Sequence, residues 1–300
     1  MEINKFTEKV QIALKEVLGE DHDVIAQEIA KNNGVCLHGI TIVSKGKNIS
    51  PTIYLEPFHE AYEEGQPFSL IMDKITKVYE RDTPKNNIDV SFFQNFDKVK
   101  DKICFRLINA ELNQSLLDKI PHIRYLDLAI SFYYAYSDEQ LGDGAIQIYN
   151  NHAETWKTNA EELYALARFN TQKWFPACFT STEILLRDLM GISEENMLPK
   201  DDLYNLLPME VVSNEKRTLG SACILYPGIL EYIASRMDGN YYILPSSIHE
   251  IIILKDSPEV DRGQLKKMVV EVNDTLVAKE EILSYSVYYF DAKQYQLQKI

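Results

Sequence analysis

Positive charge is what this sequence is short of. Lys and Arg number 31 against 45 Asp and Glu, a net charge of −14. Such a chain repels phosphate backbones unless its cations cluster, and the densest grouping is only the pair Lys266-Lys267. Nucleic acid is therefore not expected as a partner. Cysteine is scarce as well. Cys36, Cys104, Cys178 and Cys223 lie far apart with no Cys-x-x-Cys pair, so close-spaced zinc ligation is absent and four reduced core thiols are expected. No apolar run approaches the roughly 20 residues that span a bilayer. The first ten residues form an amphipathic start rather than a signal peptide, which points to the cytoplasm, with no membrane partner. Glycine never falls into Gly-x-Gly-x-x-Gly or Gly-x-x-x-x-Gly-Lys-Ser/Thr, and His-Glu-x-x-His does not occur. No cofactor and no metal are expected.

What is present suffices for a globular core: 45% apolar and 25% charged residues. Asn4 can cap a helix striped by Phe6, Val10, Ala13, Leu14 and Val17, ending at Gly19. Val35 to Val43 reads as a strand. The segment from Asp23 to Lys31 pairs with it if Asn32-Asn33-Gly34 makes a type I′ turn, the favoured reading; the alternative is a helix closed by Gly34. Phe68, Ile71, Met72, Ile75, Val78 and Tyr79 give a strong helical stripe. Short helices are expected near Phe58 to Glu64, Phe92 to Val99 and Leu112 to Ile120, with a strand at Ile103 to Ile108.

Beyond Pro121, Ile123 to Tyr136 reads as one long strand, turning at Gly142-Asp143-Gly144 into a second arm, Ala145 to Tyr149. Thr158-x-x-Glu161 and Thr180-x-x-Glu183 are capping-box signatures, the second opening a helix closed by Gly191. Met209 to Ser213 is a strand, and Gly220 to Met237 a helix restarted at Pro227. Asp261 can cap the clearest amphipathic helix, with Leu265, Met268, Val269, Val272 and Leu276 on its stripe, before a final strand at Val287 to Phe290. Hairpins outnumber crossovers, which predicts an α+β fold of mainly antiparallel sheets flanked by helices. Two α+β lobes are expected, residues 1–121 and 122–300.

The centre of the second lobe is placed at Asn240 to Asp256. Tyr241 to Leu244 and Ile248 to Leu254 are β-branched and aromatic, and Pro245-Ser246-Ser247 separates them as a short turn. In a strand, Ser247 and His249 would share one face and Ser246 and Glu250 the other. A Ser-His pair is the raw material of a nucleophile and base, so Ser246, Ser247, His249 and Glu250 are the candidate catalytic set. The plainer reading is a turn whose hydroxyls satisfy free backbone groups. Elsewhere, Glu56, Glu60 and Glu63 share a helical face near His59, which suits a hard cation or, more simply, water. His122 beside Asp127, and His152, stand at element ends.

The strings Lys31-Asn32-Asn33-Gly34-Val35, Asn48 to Glu56 (Asn-Ile-Ser-Pro-Thr-Ile-Tyr-Leu-Glu) and Pro245-Ser246-Ser247-Ile248-His249-Glu250 resemble an uncharacterised bacterial family, domain of unknown function 5688, over nearly the whole chain. From about Asp127 to Phe290 the chain also resembles, more distantly, a second uncharacterised bacterial family. The resemblance implies a bacterial, cytosolic protein and supplies no catalytic residues. The expected function is that of a non-enzymatic protein-binding or regulatory module with an unidentified protein partner, the 18 tyrosines furnishing interface area. The alternative is a hydrolase using Ser246 or Ser247 with His249. The oligomeric state is left open.

Overall fold

The computed structural model describes residues 1–84, 87, 91–138, 142–181, 209–245 and 247–300. The chain falls into two compact units, Met1–Phe92 with Tyr136–Gly144, and Phe93–Ala135 with Ala145–Ile300. Pro121 lies inside the second unit, just before one of its strands.

In the first unit the predicted stripe of α1 (Ile3–Leu18) is the buried one: Phe6, Val10 and Leu14 are inaccessible, while Val17 is exposed. Strands β1 (His22–Ala30), β2 (Cys36–Ser44) and β3 (Thr52–Tyr54) form an antiparallel sheet in that order. The hairpin reading of residues 23–43 holds, but the turn is longer than a two-residue type I′. Ala30 pairs with Cys36, Lys31 N–H donates to the Val35 carbonyl at 2.6 Å, and the three residues between make a 3-10 turn. Asn33 and Gly34 both take positive φ, 58° and 69°, which is the conformational demand the Asn-Gly pair signals. Helices α2 (Glu56–Glu63) and α3 (Phe68–Asp82) follow, and Ile71, Ile75 and Tyr79 of α3 join α1 and the sheet in one core.

Two further sheets belong for the most part to the second unit. After α4 (Phe96–Val99), β4 (Ile103–Asn109) and α5 (Gln114–Leu117), the expected long strand from Ile123 to Tyr136 is in fact two. β5 (His122–Tyr125) folds back on β6 (Leu128–Asp138) through Leu126, whose φ is +56°. No glycine announces this reversal. The order is β4-β6-β5, and β7 (Gly142–Gln147) also pairs with β6, so Gly142-Asp143-Gly144 belongs to the arm and not to the turn. Helix α6 (Asn150–Trp156) precedes α7 (Ala160–Trp174). The α7 cap is Asn159, which accepts from Glu162 N–H at 2.9 Å; Thr158 donates to the Glu162 carboxylate instead, so the cap sits one residue beyond the predicted box. Thr180 lies in β8 (Ala177–Ser181), a strand; the rest of the second predicted box and its helix, Glu183 to Gly191, fall outside the described residues.

The larger sheet adds β9 (Met209–Asn214), β10 (Tyr241–Leu244), β11 (Ile251–Lys255), β12 (Tyr288–Asp291) and β13 (Gln296–Lys299), in the order β13-β12-β10-β11-β9-β8. The aliphatic pair β10 and β11 is central, as its composition predicts, with Leu244 opposite Ile252. A 3-10 turn at Gly220–Leu225 leads to α8 (Ile229–Met237), so the expected interruption at Pro227 is present. α9 (Arg262–Thr275) is capped by the Asp261 carboxylate, which accepts from Gly263 and Gln264 N–H. Its Leu265 and Val269 cover Tyr242, Leu244, Leu254 and Tyr289, with Ile252 partly buried at the margin. Met268 and Leu276, counted in the predicted stripe, are exposed; the buried third position is Asn273. The fold is α+β with antiparallel sheets, and no helix among the described residues is long and apolar enough to cross a membrane.

Candidate functional site

The connection from β10 to β11 runs from Pro245 to Glu250 and is a loop, not a tight turn between two strands. Ile248 is aliphatic enough for a strand, but its backbone is taken by distant partners. Its N–H donates to the Glu281 carbonyl at 2.8 Å, and its carbonyl accepts from the hydroxyl of buried Ser221 at 2.8 Å. The expectation that Ser247 and His249 share a strand face therefore lapses. Ser247 is buried. Its oxygen accepts the His249 backbone N–H at 3.0 Å, and its own N–H donates to the Glu250 carbonyl, a hydroxyl-closed turn. Ser246 lies outside the described residues. Glu250 contributes that carbonyl, and its half-buried carboxylate makes no ion pair among the described residues.

His249 is held from both sides. Leu219 N–H donates to Nδ1 at 3.2 Å, which places the proton of the neutral ring on Nε2, facing Glu281 Oε1 at 3.4 Å. Its carbonyl accepts from Ser213 Oγ at 2.7 Å. The whole assembly depends on Gly220. A Cβ there would meet Ser213 Oγ at 2.2 Å, the His249 carbonyl at 2.5 Å and Asn214 N at 2.7 Å. The preceding residue, Leu219, takes a left-handed φ of 55°, which turns its N–H toward the imidazole. The loop thus gathers Ser247, His249 and Glu281, but neither imidazole nitrogen is directed at the Ser247 hydroxyl. Glu281 is the acid that sequence reasoning missed, being some thirty positions away with no motif to mark it.

The other candidate clusters resolve into structural contacts. Glu56 Oε1 accepts from both the backbone N–H and Nδ1 of His38, at 2.6 and 3.1 Å, and Glu63 faces the Met1 amine. Among the described residues no group of three His, Cys, Asp or Glu is placed to hold a metal ion. His152 Nδ1 accepts the Tyr149 N–H and its ring lies among Phe93, Tyr149 and Trp156; burial holds its pKa below the usual histidine value. Cys104 and Cys223 are core thiols, both pushed up to about 12 by burial, whereas Cys36 is exposed, contrary to the expectation of four core cysteines.

One polar centre is far better built than its sequence signal suggested. Asp127, in the turn between β5 and β6, accepts from Ser284 Oγ at 2.7 Å, Ser286 Oγ at 2.8 Å and Tyr288 OH at 2.8 Å. Burial works to raise its carboxyl pKa, but the three hydroxyls together hold it below the ordinary value. The alternation Ser284-x-Ser286-x-Tyr288, three hydroxyls leading into β12, was the available clue.

The model of a family of unknown function, DUF5688, matches residues 3–292. No curated protein matches the chain. No solved structure matches it either.

Proposed function

We propose, from the premise that the chain belongs to the family of unknown function DUF5688, that it acts as a non-enzymatic protein-binding or regulatory module. The observation that carries this reading is the commitment of His249. One ring nitrogen takes a backbone N–H and the other faces Glu281, while the Ser247 oxygen closes a turn. A general base needs a lone pair within hydrogen-bond reach of the proton it removes, about 3 Å. A binding role also has surface to draw on. Gly263, Lys266, Lys267, Val270 and Glu271 recur at helical spacing along α9 and line a shallow groove opposite its core stripe. The exposed face of α9 carries the chain's densest basic pair in an acidic molecule, a suitable contact for an acidic protein partner.

The test has two arms. Cross-linking of the tagged chain in its native host is expected to recover a stoichiometric protein partner, lost on Lys266→Glu with Lys267→Glu. A serine-directed fluorophosphonate is expected to leave Ser246 and Ser247 unlabelled. Stoichiometric labelling that disappears in His249→Ala would establish the second reading, a hydrolase using Ser246 or Ser247 with His249. That reading draws its support from the His249–Glu281 pair, the arrangement of a base with its orienting acid.

A further inference from the structure

Arg106 stands in the middle of β4, and its cross-strand partners put it in a row. Arg106 pairs with Ser131 of β6, and Ser131 pairs in turn with His122 of β5. Directly paired residues present their side chains on the same face. Two residues along the strands in either direction, that face turns apolar: Cys104 and Tyr133 on one side, Ile108 and Ala129 on the other. A charged row is thus set between two apolar ones.

The guanidinium is oriented by neutral groups alone. Nε donates to Ser131 Oγ at 3.4 Å and Nη2 to Gln147 Oε1 at 2.6 Å. Gln147 is itself fixed, because its amide nitrogen donates to the carbonyls of Phe132 and Ile148 at 3.0 and 2.9 Å. Among the described residues Arg106 makes no ion pair, in a protein with 45 acidic residues to choose from. Burial lowers its pKa from the ordinary arginine value, and the neutral phenols of Tyr133 and Tyr149 are the titratable groups that act on it. Nη1 makes no hydrogen bond among the described residues, and it is not one of the buried unpartnered atoms, so it opens to the surface. His122 Nδ1–H donates to the Ile120 carbonyl at 3.0 Å, which in the neutral ring leaves the lone pair on Nε2.

A desolvated cation without a counter-charge is costly, and proteins almost always pair it. Guanidinium presents five N–H donors in a planar fork, and only two are used here. We infer that Arg106, with the hydroxyls of Tyr133 and Tyr149 beside it, forms a binding site for a small oxyanion, a carboxylate or phosphate group that completes the unpaired fork. Ser131 and Gln147 are positioning residues: they hold one edge of the guanidinium so that the Nη1 side faces the ligand. The apolar rows on each flank exclude water from the pair and strengthen it. This site shares no residue with the Pro245–Glu250 loop or with the α9 face, so its failure leaves the binding-module reading standing.

The experiment uses the full chain. Inorganic phosphate and succinate are titrated separately against potassium chloride at matched ionic strength, with calorimetric binding and Tm as readouts. One of the two is expected to bind saturably and to raise Tm by roughly 2 °C or more at about 10 mM, and which one responds decides between phosphate and carboxylate. Arg106→Gln is expected to abolish that response and Arg106→Lys to weaken it about tenfold, because a lysine keeps the charge and loses the fork. Tyr149→Phe removes a hydroxyl from a 40% exposed ring and is expected to weaken binding about three- to tenfold while the protein stays folded. If Arg106→Gln does not fold, Tyr149→Phe decides. No saturable response to either anion overturns the proposal, as does a response that Tyr149→Phe and the folded Arg106 variants leave unchanged; Arg106 is then a structural arginine with a hydrated end.

Discussion

At Asp127 a single carboxylate ties the turn between β5 and β6 to the segment entering β12, through three hydroxyl donors. Because those donors hold its folded pKa below the unfolded value of about 3.9, the contribution is present above that value and is lost as pH falls through the folded pKa. Asp127→Asn is expected to cost about 1–3 kcal/mol at neutral pH. Urea unfolding at a series of pH values should show the gap between wild type and variant closing in acid; a gap that widens there would contradict the assignment. Gly220 tests a different force, steric closeness. Two of the three atoms that a Cβ would strike are backbone, and they cannot swing away. Gly220→Ala should therefore lose roughly 2–4 kcal/mol, read as a fall in the urea midpoint, and it should loosen the His249 loop with it. A midpoint equal to wild type would mean that the 3-10 turn slides freely. Neither residue was legible as important in the sequence. In sequence Asp127 stands out only as a polar neighbour of His122, and Gly220 only as the first residue of the expected helix to Met237, because both act through partners brought in from elsewhere in the chain.

Among the elements, those that carry their reason locally were read correctly. The stripes of α1 and α3 and the aliphatic runs of β10 and β11 are examples, since burial and period show in a few consecutive residues. The misreadings share one cause. Leu126 reverses the chain at positive φ without a glycine, Ile248 surrenders its backbone to Glu281 and Ser221, and β13 is a polar edge strand with Leu297 its only apolar residue. In each case the deciding partner is distant in sequence. The element prediction concerns β11 under α9. Ile252→Asp places a carboxylate against Leu265 and Val269 and should destabilise by about 2–4 kcal/mol. His249→Ala removes one hydrogen-bond acceptor from Leu219 N–H and should cost about 1 kcal/mol. Equal, small effects in thermal or urea unfolding would show that α9 does not cover this face.

At the level of the whole molecule, each unit has a core of its own. Phe6, Ile40, Ile71 and Ile75 belong to the first, and Tyr242, Leu254 and Val269 to a cluster in the second. Separate cores favour separate transitions. Calorimetry should resolve two, with Ile75→Ala lowering one and Ile243→Ala the other, each by a core-cavity cost of about 2–5 kcal/mol. One transition lowered alike by both variants would show instead that the units unfold as a single block.

Three of the four thiols, finally, keep time, with half-buried Cys178 reacting between the exposed and the sealed ones. Cys36 is exposed in the first unit, while Cys104 and Cys223 are sealed in the second with their thiols held protonated. A chromogenic disulfide reagent should consume Cys36 at once, half-buried Cys178 next, and then wait, because only the thiolate attacks and the buried pair must first be opened to water. The slow phase is a clock for the breathing of the second unit under fully native conditions. It should quicken in Gly220→Ala, whose turn holds Cys223, and leave the fast phase untouched.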